Sequence, residues 1–367
     1  MEEKEFFLGW QMLMPGAAKR IWHIIDRFGS PAEAWKSSEK QLTLTGGFTA
    51  EGARELVLRR RGINPEAELL LIEKKGVRYI HYVDSAYPEA LKNIFDPPPG
   101  IFVRGNISFE GPAVAVVGSR KATRYGLSVA EKLAGDLALA GVTVVSGMAR
   151  GIDTAAHRGA LAAGAPTVAV LGCGVDVVYP KENSRLMEDI AVNGAVVSEF
   201  PLGMMPQPWH FPVRNRIISG LSGGVVIVEA AERSGALITA DFALDQGRDV
   251  FAVPGNITSE LSRGPNRLIR QGATPVENAG DILEVMGLER LFRVEEPRRE
   301  DSRAAPGIKL SPEEEMVRKL LSIDPSTLDR LVDGSGLSAQ KVLAALTFLE
   351  MKGLARQLPG KLYILAG

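Results

Sequence analysis

The feature that most restricts this chain is a unit that repeats from Val114 onward: a short β-branched strand, a Gly-rich turn and an amphipathic or Ala-rich stretch. VAVVG, VTVVSG, TVAVLG, AVVSE, GVVIVEA and DVFAVPG are the six strands. Their composition is mostly β-branched and apolar, as expected of strands buried for the most part on both faces. Strands that alternate with helices build a parallel sheet, so the predicted core is α/β and Rossmann-like, a parallel sheet with helices on both sides that runs to about Gly287.

The chain has 367 residues, which exceeds one ordinary core. Residues 1–65 read as a small helical domain: in AAKRIWHIIDRFGSPAEAW, Ile21, Ile24, Ile25 and Phe28 recur at helical spacing before Gly29 and Pro31 stop the helix. Units of this kind grip a DNA backbone through turn amides or serve as packing modules, and both roles stay open at this point. Residues 66–290 hold the Rossmann-like core with its lead-in, where Pro97, Pro98 and Pro99 keep the chain extended ahead of the strand IFVRG. Residues 291–309 are charged and proline-bearing and read as a flexible linker. Residues 310–367 give three helices and a strand pair, the order of a winged helix. Its recognition helix would be SAQKVLAALTFLEMKG, in which Leu343, Ala344, Leu346, Phe348 and Leu349 mostly serve a core; groove reading and protein packing are both open.

Composition excludes several classes. Apolar residues make up 45% and charged residues 24%, so most of the chain folds. The net charge of -1 means that a nucleic-acid partner must meet a local basic patch. The single cysteine, Cys173, makes no internal disulfide, and four histidines without HExxH or CxxC spacing give no zinc signature. No cofactor is expected. No apolar run approaches the roughly 20 residues that span a bilayer, and MEEKEFF lacks a basic leader, so a cytoplasmic protein with no membrane contact is expected.

Chemistry concentrates in the turns that follow the strands. After the first, Gly118, Ser119, Arg120 and Lys121 form a candidate phosphate cradle, because such turns lie at the ligand-binding edge of the sheet and the next helix begins with free amides. After the second come Ser146, Gly147 and Arg150, and after the third Gly172, Gly174, Tyr179 and Lys181. A fourth basic stretch, Arg214-Asn215-Arg216, reads as a loop before a Ser/Gly turn, with Asn215 able to orient an arginine or reach a base. Neither GxGxxG nor GxxxxGK[ST] occurs in the main domain. Asp153 and His157, four apart, read as a helix cap near a packed histidine, Cys173 as a small packed residue, and Glu229 as a structural or capping carboxylate. No catalytic residue and no metal ligand is assigned.

The segments SGMARGIDTAAH, GCGVDVVYPKEN and SEFPLGMMPQPWHFPVRNRIISGLSGGVVIVEAAERSGALITADFALDQGRDVFAVPGN resemble the DNA-processing protein family called DprA or Smf, over residues 87–286. The flanking helical domain and winged helix match the layout of longer members. The resemblance implies a non-enzymatic protein that binds single-stranded DNA without sequence preference, acts as a homodimer and helps place RecA on DNA coated with single-strand-binding protein during natural transformation. It implies DNA-holding roles for Arg120 and Lys181, places Ser119, Ser146 and Gly147 near bound phosphates, and sets a dimer contact in residues 264–276, with Asn266, Leu268 and Ile269. The rival is a Rossmann-like enzyme that cleaves nucleoside monophosphates at the ribose; its PGGxGTxxE motif has no equivalent spacing in SGLSGGVVIVEAAERSGALITA.

Overall fold

The computed structural model describes residues 2–44, 47–289, 310–322, 325–358 and 362–365. The linker expected over 291–309 lies outside the described residues. The N-terminal helices and the main sheet belong to one compact unit and the C-terminal residues to a second, and each is described by itself.

The first unit is built on nine strands: β1 Val77–His81, β2 Gly100–Gly105, β3 Ala113–Val117, β4 Thr143–Ser146, β5 Thr167–Val170, β6 Ala195–Ser198, β7 Gly224–Ile227, β8 Asp249–Ala252 and β9 Thr274–Pro275. Their order across the sheet is β1-β2-β6-β5-β4-β3-β7-β8-β9. From β6 to β9 all pairs are parallel, and the six strands expected from the sequence are β3 to β8. The lead-in joins the same sheet: β2 pairs antiparallel with β6, in the register Phe102↔Ser198, and β1 pairs antiparallel with β2.

Helices cover both faces, which is why the strands carry no polar side. On one face Val114, Val116, Val144 and Phe251 meet the helices Arg124–Leu139 and Ile152–Ala162. Val117, Val145, Val170 and Ile227 meet His210–Gly220 and Gly235–Asp245 on the other. The Arg124–Leu139 helix starts where the Thr123 hydroxyl accepts from the Gly126 N–H at 3.1 Å, a cap worth about 1 kcal/mol. It buries Ala130, Leu133, Ala134 and Leu137 at helical spacing; trimming Leu137 to Ala would cost about 2–5 kcal/mol. The N-terminal helix Glu3–Leu13 packs on the sheet through Leu8, which sits with Val77 and Phe102. Its buried Gln11 donates to the Gly100 carbonyl at 2.9 Å and accepts from the Tyr79 hydroxyl at 2.9 Å.

The second unit has the winged-helix arrangement. Helices Pro312–Leu320, Leu328–Ser335 and Ala339–Met351 enclose Val317, Leu331, Val342, Leu346 and Leu349. Strand Leu362–Leu365 lies between Ser326–Thr327 and Ala355–Leu358. The expected core role holds for Leu346 and Leu349, whereas Leu343, Ala344 and Phe348 face solvent because the helix turns its Val342/Ala345/Leu349 stripe inward.

Candidate anion-binding site

From β3 the chain steps outward through β4 and β5 to β6, then returns to place β7 on the other side of β3. Connections that leave in opposite directions open a crevice at the carboxyl ends of the strands. A groove lies there, walled by Gly118, Ser119, Arg120 and Lys121 after β3, by Ala149 and Asp153 after β4, and by Phe211, Arg214 and Asn215 from the returning helix. A narrower recess beside it is lined by Arg120, Gly147, Arg150, Tyr179, Phe211 and Arg214.

The turn after β3 is held from below. Ser119 N–H donates to the Glu229 carbonyl at 2.6 Å, and the Ser119 hydroxyl accepts from Lys121 N–H at 3.1 Å. The Glu229 carboxylate accepts from the Thr123 amide at 2.8 Å and its hydroxyl at 2.6 Å, so it caps the start of the following helix, where a negative charge is favoured. This fits the structural role expected for Glu229 and leaves it 4% exposed. The next loop is sewn to this one: Ile152 N–H donates to the Ser119 carbonyl at 3.2 Å, and a Cβ on Gly151, whose φ is +74°, would lie 2.2 Å from the same oxygen. Only glycine fits between the two turns. Above them the exposed Arg120 guanidinium sits 5.0 Å from the Phe211 ring centroid.

The turn after β4 is organised by a buried pair. Asp153 Oδ2 accepts from Gly147 N–H at 3.2 Å and Ala149 N–H at 3.3 Å. Arg214 Nη1 donates to the Gly147 carbonyl at 2.8 Å and to the Val170 carbonyl, and Arg214 Nε donates to Asn215 Oδ1 at 3.2 Å. Asn215 in turn donates to the Gly235 carbonyl at 3.2 Å, which supplies the orienting role expected of it. A Cβ on Gly147 would come within 2.6 Å of Arg214 and 2.7 Å of Asp153. Burial pushes the Asp153 carboxyl up to about 6, against the pull of Arg214 and the turn amides, and lowers Arg214 to about 10. Both are charged at neutral pH.

The other titratable groups are occupied or inert. His157 is fully buried with Nδ1 2.8 Å from the Thr167 hydroxyl, and burial lowers it to about 3. Burial raises the Cys173 thiol to about 11, far from a reactive thiolate. Among the described residues no group of three His, Cys, Asp or Glu is placed to hold a metal, and no helix is long and apolar enough to cross a membrane.

Five expectations change. Arg214, Asn215 and Arg216 are not on a loop: they lie inside the helix His210–Gly220, whose Pro212 sits in the first turn, where a missing N–H costs nothing. Arg216 leaves the edge altogether, since two helical residues apart means opposite sides; it is 2% exposed, pairing with Glu199 at 2.6 Å and Asp96 at 3.1 Å. Ser146 is fully buried and donates its hydroxyl to the Val116 carbonyl at 2.7 Å, so it braces the sheet beneath the site. Asp153 ties the turn amides, while Gly151 takes the cap position. Of the residues expected at a dimer contact, Leu268 alone changes, being 5% exposed and packed in the core with Ile227 and Ala230; Asn266, which exchanges two hydrogen bonds with Gly255, and Ile269 are half-buried and keep a solvent-facing part.

Gly118, Ser119, Arg120, Lys121, Gly147, Arg150, Arg214 and Asn215 do come together. Arg150 is exposed and ion-paired with Glu182, and the exposed Lys181 follows Pro180 at the rim. The sequence reading missed that Ser234, Gly235 and Thr239 form the far wall, although Ser-Gly between a strand and a helix is an ordinary capping signal: the Ser234 hydroxyl accepts from Ala236 N–H at 3.3 Å.

A doubly wound sheet that gathers arginine, lysine and turn backbone at its switch point, with Asp153 and Glu229 already hydrogen-bonded, makes a Rossmann-like protein whose sheet edge suits an anion. Residues 78–287 match the family model for DNA recombination-mediator protein A, and residues 301–361 match the DprA winged helix domain. The chain belongs to this family of DNA-processing proteins of recombination, called DprA or Smf. It is 31% identical to protein Smf of a Synechocystis strain over 98% of both chains. The crystal structure of DNA processing protein A from Streptococcus pneumoniae superposes with a TM-score of 0.68 at 36% identity, covering 77% of this chain and 98% of that one. DNA processing protein A from Helicobacter pylori, described for its single-stranded DNA binding mode, gives 0.53 at 28% identity, covering 58% and 96%.

Proposed function

We propose that this chain binds single-stranded DNA by its phosphates, without sequence preference, in the groove between Arg120 and Arg214, and hands the strand to RecA where single-strand-binding protein has covered it. The observation that carries this reading is the hydrogen-bonded Arg214 beside the exposed Arg120 and Lys121 at one sheet edge, with Tyr179 and Phe211 5.5 Å apart as surfaces for bases. The relative from Helicobacter pylori supports the choice of single strand. The action is binding and hand-over, not bond breaking. Glu229, the residue a ribose-cleaving enzyme would need, is held by Thr123 through two hydrogen bonds. A homodimer would tether two grooves and raise avidity without new contacts. Natural transformation and recombination are the settings, in the cytoplasm.

The test is fluorescence anisotropy of labelled oligo-dT against duplex of equal length over a salt series, with Arg120→Ala alongside. Preference for the single strand, a fall of about 0.7 in log K per log salt for each phosphate neutralised, and weakening in the variant are expected. Equal affinity for both DNA forms in both proteins would reject the reading. RecA loading on strands coated with single-strand-binding protein is the next assay.

A further inference from the structure

A second groove adjoins the first. It is lined by Lys19, Arg20, His23, Asp96, Pro212 and Phe242, and Pro212 lines both grooves. The turn before the helix Ala18–Phe28 packs on the residue that precedes the Arg214 helix: a Cβ on Gly16 would lie 3.1 Å from the Trp209 ring. The two grooves therefore share a wall within one compact unit.

Next to the lining residue Asp96, Phe95 is 84% exposed, with Nζ of Lys19, another lining residue, 5.2 Å from its ring centroid. Arg20 is fixed, donating to the Gly47 carbonyl at 2.8 Å with its guanidinium 4.2 Å from the Phe48 centroid. A bare ring beside an ammonium suits a stacked base with its phosphate better than it suits solvent. Charge alone is modest here. Arg216, Lys19 and Arg20 are three cations against the two carboxylates Asp96 and Glu199, an excess of one. Stacking must supply most of the contact.

We infer that the strand held at Arg120 and Arg214 continues across Pro212 to the place where the N-terminal helices meet the lead-in segment, where Phe95 of the lead-in stacks a base and Lys19 of the helix Ala18–Phe28 meets a phosphate. This rests on the single-strand reading above. It also gives the helical module a grip on DNA in addition to its packing role.

The test uses full-length protein and fluorescein-labelled oligo-dT of about 6 and about 20 nucleotides. For wild type the longer strand should bind about tenfold tighter than the shorter. The double variant Lys19→Glu/Phe95→Ala should match wild type on the short strand and lose that gain, while Phe95→Trp keeps it. Both side chains are exposed, so thermal unfolding should not move. An undiminished gain in the double variant, or no gain in wild type, overturns the second contact. Arg120→Ala should weaken both lengths equally; if it weakens neither, the first groove is not the DNA site and this proposal falls with it.

Discussion

Arg214 and Arg216 stand two positions apart on one helix and are equally buried, yet the regions they enter differ in kind. Arg214 donates to one carbonyl in the turn after β4 and one at the end of β5 and has one carboxylate, Asp153, beside it, itself already accepting from two amides. Arg216 lies between the carboxylates of Glu199 and Asp96. Carbonyl dipoles orient a guanidinium and leave its charge to act outward, whereas carboxylates cancel it. Counting arginines in the motif therefore overstates the positive field at the sheet edge; partners decide which arginine a phosphate can feel.

The comparison breaks first under Arg216→Ala. Glu199 would be left buried without its partner, so stability in urea unfolding should fall by about 3–5 kcal/mol, while the folded fraction binds a short oligo-dT as wild type does. Should stability hold, the Arg216 region is not the structural one. Arg214→Ala should weaken single-strand binding of the folded fraction by about 1.5–3 kcal/mol, or roughly tenfold to a hundredfold in anisotropy titrations, and it also lowers stability because the Gly147 and Val170 carbonyls lose their donor.

A smaller effect concerns Asp153. Its folded carboxyl is raised from 3.8 to about 6, so the stability it contributes is full below about 4 and is lost as pH rises through about 6. In its ionised form it also offsets Arg214. Single-strand affinity should therefore rise as pH falls through about 6, and Asp153→Asn should bind several-fold tighter at neutral pH, with that pH dependence gone and with higher stability. Identical pH profiles for the two proteins would remove Asp153 from the site. The smallest change is expected for the exposed Lys181: Lys181→Ala should lower the salt slope by about 0.7 without moving the unfolding midpoint.

The parallel strands were legible because runs such as Val114 to Val117 are apolar on both faces, and only a sheet covered twice requires that. The place of β1 and β2 was not, since pairing Phe102 with Ser198 joins residues far apart in the chain and leaves no local trace. In the site, Gly118 to Lys121 could be read from the strand–turn–helix pattern. The direction of each arginine could not. Pro212 and Asn215 suggest a loop, and only the spacing of Val213 with Ile217, and of Arg214 with Ile218, betrays the helix that sends Arg214 and Arg216 to different sides. Leu268 misled for a related reason: one short helix carries both core and surface residues, and its amphipathic phase is hard to fix over eight positions.

The way Arg214 is fastened has a thermodynamic consequence. A free arginine side chain carries about 2 kcal/mol of rotamer entropy, which any ligand that orders it must overcome. With Nη1 tied to Gly147 and Val170 and Nε to Asn215, Arg214 surrendered that freedom when the chain folded. Arg120, exposed at the rim with its guanidinium against the Phe211 ring, keeps more of it. An anion that reaches the inner arginine meets a receptor whose disorder is already spent, while each contact with the outer one carries an ordering cost every time a strand arrives.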